Sequence, residues 1–432
     1  MMNEELKNQQ TGTETGMEEV VDTGKIAASV DRFLDQFDQP AKGKMERRTE
    51  EPRQTGGPKD GRAAGGGAAS GSAAASAGPS AKEPDAADRP DSGKRGKKRL
   101  PDRIGFRILV CVMTVLVLLT GTFFGAVAMI NYGPSKTVRD LFVTSVLETS
   151  AAKFLATMYF SDEEIAEIKA NNQVVELEEV TDTSLIEIDA AASQDEENDI
   201  VIEDVSGPTF KGKMMIVKDP GRLFVGTSID KYDKSVRGKT VQEIIERYDG
   251  VAGVNAGGFV DENGKGDGSI PLGIVISQGQ LKWGSKGGTY EIIGFDYENK
   301  FVIGKMTGQE ALDMGIRDAV SFGPLLIVNG QVLEVKGFGG GLNPRTAIGQ
   351  RADGSILILV CDGRQGNSLG ASMSDVIDLM VEYGAVNAAN LDGGSSTVLY
   401  HEGELLNVCC SLYGPRDMPT AFVVKALEGG EA

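Results

Sequence analysis

Five short segments carry the residues best placed to do chemistry, each at the end of an apolar run. They read GVNAGGF (253–259), GSIPLG (268–273), NPRTAIG (343–349), CDGR (361–364) and NLDGGSST (390–397). In the last, an apolar run delivers Asp392 to a turn where Gly393 and Gly394 let a ligand approach the backbone, followed by the hydroxyls of Ser395, Ser396 and Thr397. Hydroxyls and backbone N–H groups in such a turn suit an anionic group such as phosphate. The same residues also suit a self-contained Asx turn. In the third segment, Pro344 restricts Asn343 to extended geometry and sets Arg345 on a fixed backbone. Arginine binds phosphate bidentately and stays charged at any useful pH, although an ion pair with a structural acid uses it equally well. Asp362 and Arg364 make the same offer from the end of a strand-like run, with a salt-bridged turn as the bland alternative.

Histidine is almost absent. The single one, His401, sits where a strand runs into a Glu402-Gly403 turn, which argues against a Ser-His-Asp triad. Acid and base work therefore falls to carboxylates. The four cysteines, Cys111, Cys361, Cys409 and Cys410, form no CxxC pair, so a structural zinc site of ordinary spacing is not expected. A disulfide from Cys361 to Cys409 or Cys410 and plain buried thiols are both compatible with this spacing. The net charge of -19 repels phosphate backbones and argues against nucleic-acid binding.

The elements that must position these segments follow from patterning. Residues 207–432 alternate short β-rich runs with Gly-rich turns: 213–217, 223–226, 251–255, 273–277, 291–296, 300–303, 324–328, 347–350 and 356–361. Asn329-Gly330 and Asp353-Gly354 are hairpin-turn pairs. Helices are expected at 240–248 and 374–383, the second ending at Gly384 as a C-cap. Strands outnumber helices and hairpins recur, which predicts an α+β fold: a mixed or antiparallel sheet domain with flanking helices.

Upstream, residues 1–103 are rich in Gly, Ala, Ser, Pro and charge, and read as a disordered tail with a basic run at its end, carrying at most a transient helix at 26–37. Residues 104–130 read as one transmembrane helix, long enough for ~30 Å of hydrocarbon. Lys94, Arg95, Lys97, Lys98, Arg99, Arg103 and Arg107 precede it, which places the N-terminus in the cytoplasm and the rest outside. The small-x-small sequence ending at Ala128 also fits signal cleavage, but a hundred-residue leader is far too long for an ordinary signal peptide. Residues 131–206 read as a helical stalk and acidic linker, with helical spacing over 137–158, a capped helix start at Ser161 and a strand near 184–188.

Taken in order, the segments are similar to the phosphodiester glycosidase family. The matching pieces are NAGGF at 255–259, PLGIVISQGQ at 271–280, FGPLLIVNGQ at 322–331, NPRTAIGQ at 343–350, DGR at 362–364, NLDGGSSTV at 390–398, and Gly414-Pro415-Arg416 followed by Pro419. The resemblance spans roughly residues 207–424. Two departures stand out: no third glycine follows Asp392-Gly393-Gly394, and two glycines rather than one precede Phe259.

The resemblance implies hydrolysis of a sugar-1-phosphodiester at the anomeric C–O bond. The leaving group, a phosphate monoester, needs little help from a general acid. On this reading Asp392 is the nucleophile or base, Arg345 clamps the phosphate, Asp362 is the second carboxylate and Asn255 orients the sugar. Gly257, Thr346, Arg364 and Asn390 join the substrate-binding set, and Ser395, Ser396 and the N–H groups of Gly393 and Gly394 line the anion site. The oxygen donors Asp362, Asp392 and Asn390 suit calcium or magnesium, a question the sequence leaves open. The expected partner is a phosphorylated glycan of the cell envelope or an exopolysaccharide, met at the membrane surface. Two rivals remain: a non-catalytic glycan- or phosphate-binding module, and a scaffold whose tail and stalk recruit envelope machinery.

Overall fold

The computed structural model describes residues 103–149, 152–175, 179–188, 199–261, 266–411 and 413–427. The tail and the helix expected at 26–37 lie outside the described residues. Seven α-helices are described: α1 (Arg103–Tyr132), α2 (Lys136–Leu147), α3 (Phe154–Thr157), α4 (Asp162–Asn171), α5 (Val241–Arg247), α6 (Gly308–Asp313) and α7 (Met373–Glu382).

Three antiparallel sheets form the body. The seven-stranded sheet runs, in spatial order, Gln331–Val332, Leu325–Val328, Ala385–Leu391, Arg345–Arg351, Ile356–Cys361, Lys211–Val217 and Ile200–Ser206. A five-stranded sheet runs Glu404–Leu405, Leu399–His401, Gly250–Asn255, Thr420–Lys425 and Leu223–Thr227. A second five-stranded sheet runs Gln280–Trp283, Val275–Ser277, Ile316–Val320, Thr289–Asp296 and Phe301–Thr307. The α+β expectation is thus met. The nine strand-like runs all fall on strands, with bounds moved by up to four residues.

Burial on both faces explains why these strands read as continuous apolar runs rather than alternating ones. In Ile356–Cys361, Ile356, Ile358 and Val360 face a core shared by all three sheets, where Val254, Ile293, Phe295 and Phe422 meet them. Leu357, Leu359 and Cys361 face the other way, onto Val376, Ile377 and Met380 of α7. Ile244 and Ile245 of α5 cover the outer face of the first five-stranded sheet in the same manner. Ala311 of α6 covers the second. Capping boxes start α4 (Ser161 with Glu164), α5 (Thr240 with Glu243) and α7 (Ser372 with Asp375). Gly384 follows α7 with φ +81°, as the C-cap expectation requires. Asn329 and Gly330 both take positive φ in a two-residue hairpin.

Two expectations change. The strand expected near 184–188 is a 3₁₀ turn, Thr183–Leu185, because the Asp182 carboxylate accepts from the Ser184 N–H and hydroxyl and closes the chain locally. The stretch before residue 207, expected as linker, supplies a full edge strand, Ile200–Ser206, paired residue for residue with Lys211–Val217. The stretch read as a stalk packs on the sheet domain. Val174 and Val175 pair with Val335 and Glu334, and the Ser145 hydroxyl of α2 accepts from the Leu342 N–H.

In α1, residues Ile104–Tyr132 are long and apolar enough to cross a membrane, the one such helix among the described residues. Its C-terminal end touches the helices that follow: the Tyr159 hydroxyl donates to the Phe124 carbonyl, and the Tyr132 and Tyr159 rings meet edge to face.

Candidate active site

Antiparallel register creates the site. Strands Ala385–Leu391 and Arg345–Arg351 pair Leu391 with Thr346. The next residues outward, Asp392 and Arg345, therefore leave the sheet at the same end. The neighbouring sheet ends at the same place, where the Asp392 N–H donates to the Ala256 carbonyl. Asn255 sews this seam. Its side chain is fully buried; its Nδ2 donates to the Asp392 carbonyl, and its Oδ1 accepts from the Thr346 hydroxyl and the Val398 N–H.

Above the seam lies a cleft of about 320 Å³ that brings Asp392, Arg345, Arg364, Asn390, Gly393, Gly394, Ser395 and Ser396 together. The spatial requirement set by the sequence, an acid and a guanidinium in one pocket, is satisfied. Phe322 and Asn343 complete the walls with three charged residues the sequence reading did not nominate: Glu148, Asp261 and Arg416. Three guanidinium groups thus face three carboxylates.

Burial raises the Asp392 carboxyl to about 6, against the Ser396 hydroxyl, Arg416 and the Gly393 N–H, which favour its charge. Asp261 behaves oppositely. Burial works to raise it, but Arg416 at 2.7 Å and the Gly266 N–H at 2.6 Å prevail and hold it below the usual range. Two carboxylates in one cleft with proton affinities pushed apart are what acid–base chemistry requires. Arg416 is itself fixed over the Phe259 ring, 4.7 Å from its centroid, and donates to Ser395 Oγ and the Gly266 carbonyl.

At the other end of the cleft, Arg345 is buried and donates to the Gly341 and Ala371 carbonyls, with its remaining nitrogen 3.5 Å from Glu148. Glu148, just past the end of α2, also accepts from Asn343 Nδ2. Desolvation raises its carboxyl despite Arg345 and Arg364, although 39% of its side-chain surface stays open. Arg364 has φ +58° and donates to Asn343 Oδ1 and to the Glu148 carbonyl. Gly394, beside that guanidinium, takes φ +63°, a backbone conformation that side chains rarely adopt. Asn390 donates to the Gly323 carbonyl, while its Oδ1 is buried at the cleft wall without a partner among the described residues. A buried amide oxygen left this way favours a ligand that brings a hydroxyl or N–H.

Several expected site residues sit elsewhere. Asp362, expected as the second carboxylate, is not in the cleft wall: it accepts from the Val408 N–H and Asn407 Nδ2 and anchors that loop. Asn255 and Thr346 are spent on each other and on the seam, and do not reach the cleft. Gly257 serves packing, since a Cβ there would lie 2.9 Å from Val320 Cβ. The N–H of Gly394 donates to the Pro344 carbonyl and that of Gly393 to Asp392, so neither is left for an anion. The donor set imagined for calcium or magnesium does not converge, because Asp362 lies apart from Asp392 and Asn390. Among the described residues no group of three acidic, His or Cys side chains is placed to hold a metal. The four cysteines are free, and Cys361 is buried within the seven-stranded sheet.

Of the residues missed, Arg416 had a signal, since it stands in the closing Gly-x-Arg-x-x-Pro pattern. Asp261 and Glu148 had none, because each enters the cleft through tertiary packing alone.

Residues 248–425 match the phosphodiester glycosidase family model, so the recognisable family region begins some forty residues later than the motif order suggested. An uncharacterized SPbeta prophage-derived protein of Bacillus subtilis is 28% identical over 222 residues, 47% of this chain and 33% of its own. The N-acetylglucosamine-1-phosphodiester alpha-N-acetylglucosaminidase of Mus musculus is 26% identical over 152 residues, 31% of this chain and 29% of its own. The chain therefore spans about a third of each curated relative. Among solved structures, the zebrafish enzyme of the same name, a catalytic domain auto-inhibited by pro-peptide, aligns with TM-score 0.44 and 21% identity, covering 53% of this chain and 82% of that one.

Proposed function

We propose, taking residues 248–425 as a phosphodiester glycosidase family domain, that this cleft hydrolyses sugar-1-phosphodiesters on the outer side of a membrane. The observation that carries the reading is Asp392 and Arg345 at one sheet end and in one cleft. Asp392, ionised above about pH 6, faces the anomeric carbon as nucleophile or general base. The anomeric C–O bond breaks, water supplies the new sugar hydroxyl, and the phosphate monoester leaves with the bonding electrons. Arg345 and Arg364 hold the phosphoryl oxygens as that charge develops. An arriving phosphate takes over from Glu148 as the partner of Arg345. The unpartnered Asn390 Oδ1 accepts from the sugar, whose hydroxyls and N-acetyl N–H both suit it. An N-acetylglucosamine-1-phosphodiester is the first substrate to test, by analogy with the mouse relative's name. No step is assigned to a cation. Anchoring by α1, with the basic run before it inside, holds the cleft near envelope or exopolysaccharide glycans.

The test is hydrolysis of such a diester in ¹⁸O-water by the full chain in detergent. Label in the released sugar and none in the phosphate monoester supports C–O cleavage. Label in the phosphate, or saturable binding of the diester without turnover, overturns it; the second outcome leaves a glycan-binding module.

A further inference from the structure

α1 is longer than a bilayer needs. The last charged residue in it is Arg107, and about 20 residues at ~1.5 Å each cover the ~30 Å of hydrocarbon, which reaches the neighbourhood of Val127. The helix runs on to Tyr132. This outer end is fastened sideways to the helices that follow. Val127 and Asn131 are buried, the Tyr132 hydroxyl donates to the Tyr159 carbonyl at 3.4 Å, and the Tyr159 hydroxyl reaches back along α1 to the Phe124 carbonyl at 3.2 Å. Tyr159 and its neighbours therefore lie beside residues 124–132, at the level where hydrocarbon gives way to headgroups. Tyrosine suits that level, because its ring is apolar and its hydroxyl wants a polar partner.

The same part of the chain carries exposed apolar surface. Met129 and Tyr132 of α1, Val138 of α2, and Phe154 and Met158 at the ends of α3 are 48–78% exposed, unusual for large apolar side chains that meet only water. Phe154 and Met158 stand one helical turn apart and share a face. They are not needed to hold these helices together, since Phe142, Val146 and Phe160 pack inward around Val143, Ala156 and Ile168. Lys136 opens α2 and Lys153 precedes Phe154, and both are exposed. Apolar side chains edged by lysines suit the boundary of a bilayer, with the apolar groups among acyl chains and the ammonium groups on lipid phosphates. We propose that the start of α2 together with α3 forms an interfacial foot, seated in the outer leaflet beside α1, with Phe154 and Met158 below the headgroups and Lys136 and Lys153 at lipid phosphates. The 12 residues of α2 rise at most ~18 Å from Lys136 before Glu148 lines the cleft. The foot then holds the cleft at a short, fixed height over the membrane, where a free stalk would let it swing.

The inference rests on α1 spanning the bilayer and not on the chemistry in the cleft, and the experiment separates foot from anchor. The full chain is reconstituted in phosphatidylcholine–phosphatidylglycerol vesicles whose acyl chains carry bromine either near the ester end or near the methyl end. Trp283, the single tryptophan, sets the baseline emission. Met158→Trp and Phe154→Trp, each made alone at an exposed position, should lose roughly half of their added emission to the shallow bromine and less to the deep one. Leu118→Trp, in the middle of α1, should show the reverse order. Quenching of Leu118→Trp with both foot reporters at baseline overturns the foot and leaves the anchor; a protein partner covering this surface would give that result. Leu118→Trp left unquenched removes the spanning helix and the foot with it. Adding Phe154→Asp to Met158→Trp should roughly halve the shallow quenching by lifting α3 from the lipid, and undiminished quenching in this pair refutes the seating of Phe154.

Discussion

Replacing Asp392 with Asn should destroy activity and stabilise the fold, and both effects come from the same buried carboxyl. Its ordinary pKa of 3.8 rises to about 6 because burial opposes its charge more than Ser396, Arg416 and the Gly393 N–H support it. The native state then binds more protons than the unfolded state between those two values, so stability falls as pH rises from about 4 to 6 and the penalty is complete above 6. At ~1.4 kcal/mol per pH unit the window corresponds to roughly 3 kcal/mol. Water entering the open cleft solvates part of the charge and leaves on the order of 1–2 kcal/mol for Asn to recover. Denaturant unfolding can be followed by the single tryptophan, Trp283, whose ring meets Tyr232 edge to face at 6.1 Å. The variant should unfold at higher denaturant than wild type at pH 8, with the gap closing by about pH 4. Turnover should drop by ~10²–10⁴, the usual worth of a positioned acid–base group. A variant less stable than wild type at pH 8, or one that keeps its activity, refutes the argument.

Three further outcomes follow from the same geometry. The pH profile of kcat/KM should rise with unit slope and level off above about 6, as Asp392 loses its proton; a flat profile from pH 4.5 to 7.5 counts against it. Arg345→Lys should cost about 10²-fold in kcat/KM and about 1–3 kcal/mol of stability, because a single ammonium cannot serve the Gly341 and Ala371 carbonyls and a phosphate together; steady-state kinetics and urea midpoints read the two effects. Asn255→Ala should cost about 2–3 kcal/mol by leaving the buried Val398 N–H unpaired and unlinking the Asp392 carbonyl, and activity should fall although Asn255 never meets substrate; wild-type activity in this variant would place the seam outside the catalytic apparatus.

Much of the fold was readable because its signals are local. Strands buried on both faces announce themselves as unbroken apolar runs, and Asn329-Gly330, Asp353-Gly354 and Gly384 mark turns by backbone freedom alone. The strands Ile316–Val320 and Thr420–Lys425 were missed because Arg317, Asp318 and the Pro419-Thr420 start look like turn chemistry. In the fold, Asp318 is fully buried, paired with Arg317 and accepting from the N–H groups of Val225 and Gln278, a long-range solution no local window reveals. Ile200–Ser206 was hidden by Glu203 and Asp204, which an edge strand can turn to solvent. At the site, motif position selected Asp392, Arg345, Arg364 and Asn390, which line one cleft. Asp362 and Asn255, selected the same way, do not line it, because a polar residue at a strand end can serve the turn as readily as a ligand, and only the direction of its hydrogen bonds decides which.

The charge balance of the cleft bears on the part played by the segment that follows α1. Arg345, Arg364 and Arg416 are drawn from the family-matched region, as are Asp261 and Asp392. Those five alone leave an excess of positive charge, suited to holding any phosphate that diffuses in. Glu148, from outside that region, restores the balance at the Arg345 end. A ligand must then offer Arg345 more than Glu148 already does, which a diester can do only by also filling the space on either side of its phosphate. Free phosphate gains one contact and loses another. On the proposed hydrolase reading, discrimination against inorganic phosphate then rests on Glu148 and on the packing of α2 that places it. Glu148→Gln should erase it: inorganic phosphate should inhibit the variant at concentrations at least tenfold below those needed for wild type. Equal inhibition of the two proteins would show that Glu148 merely fills the wall.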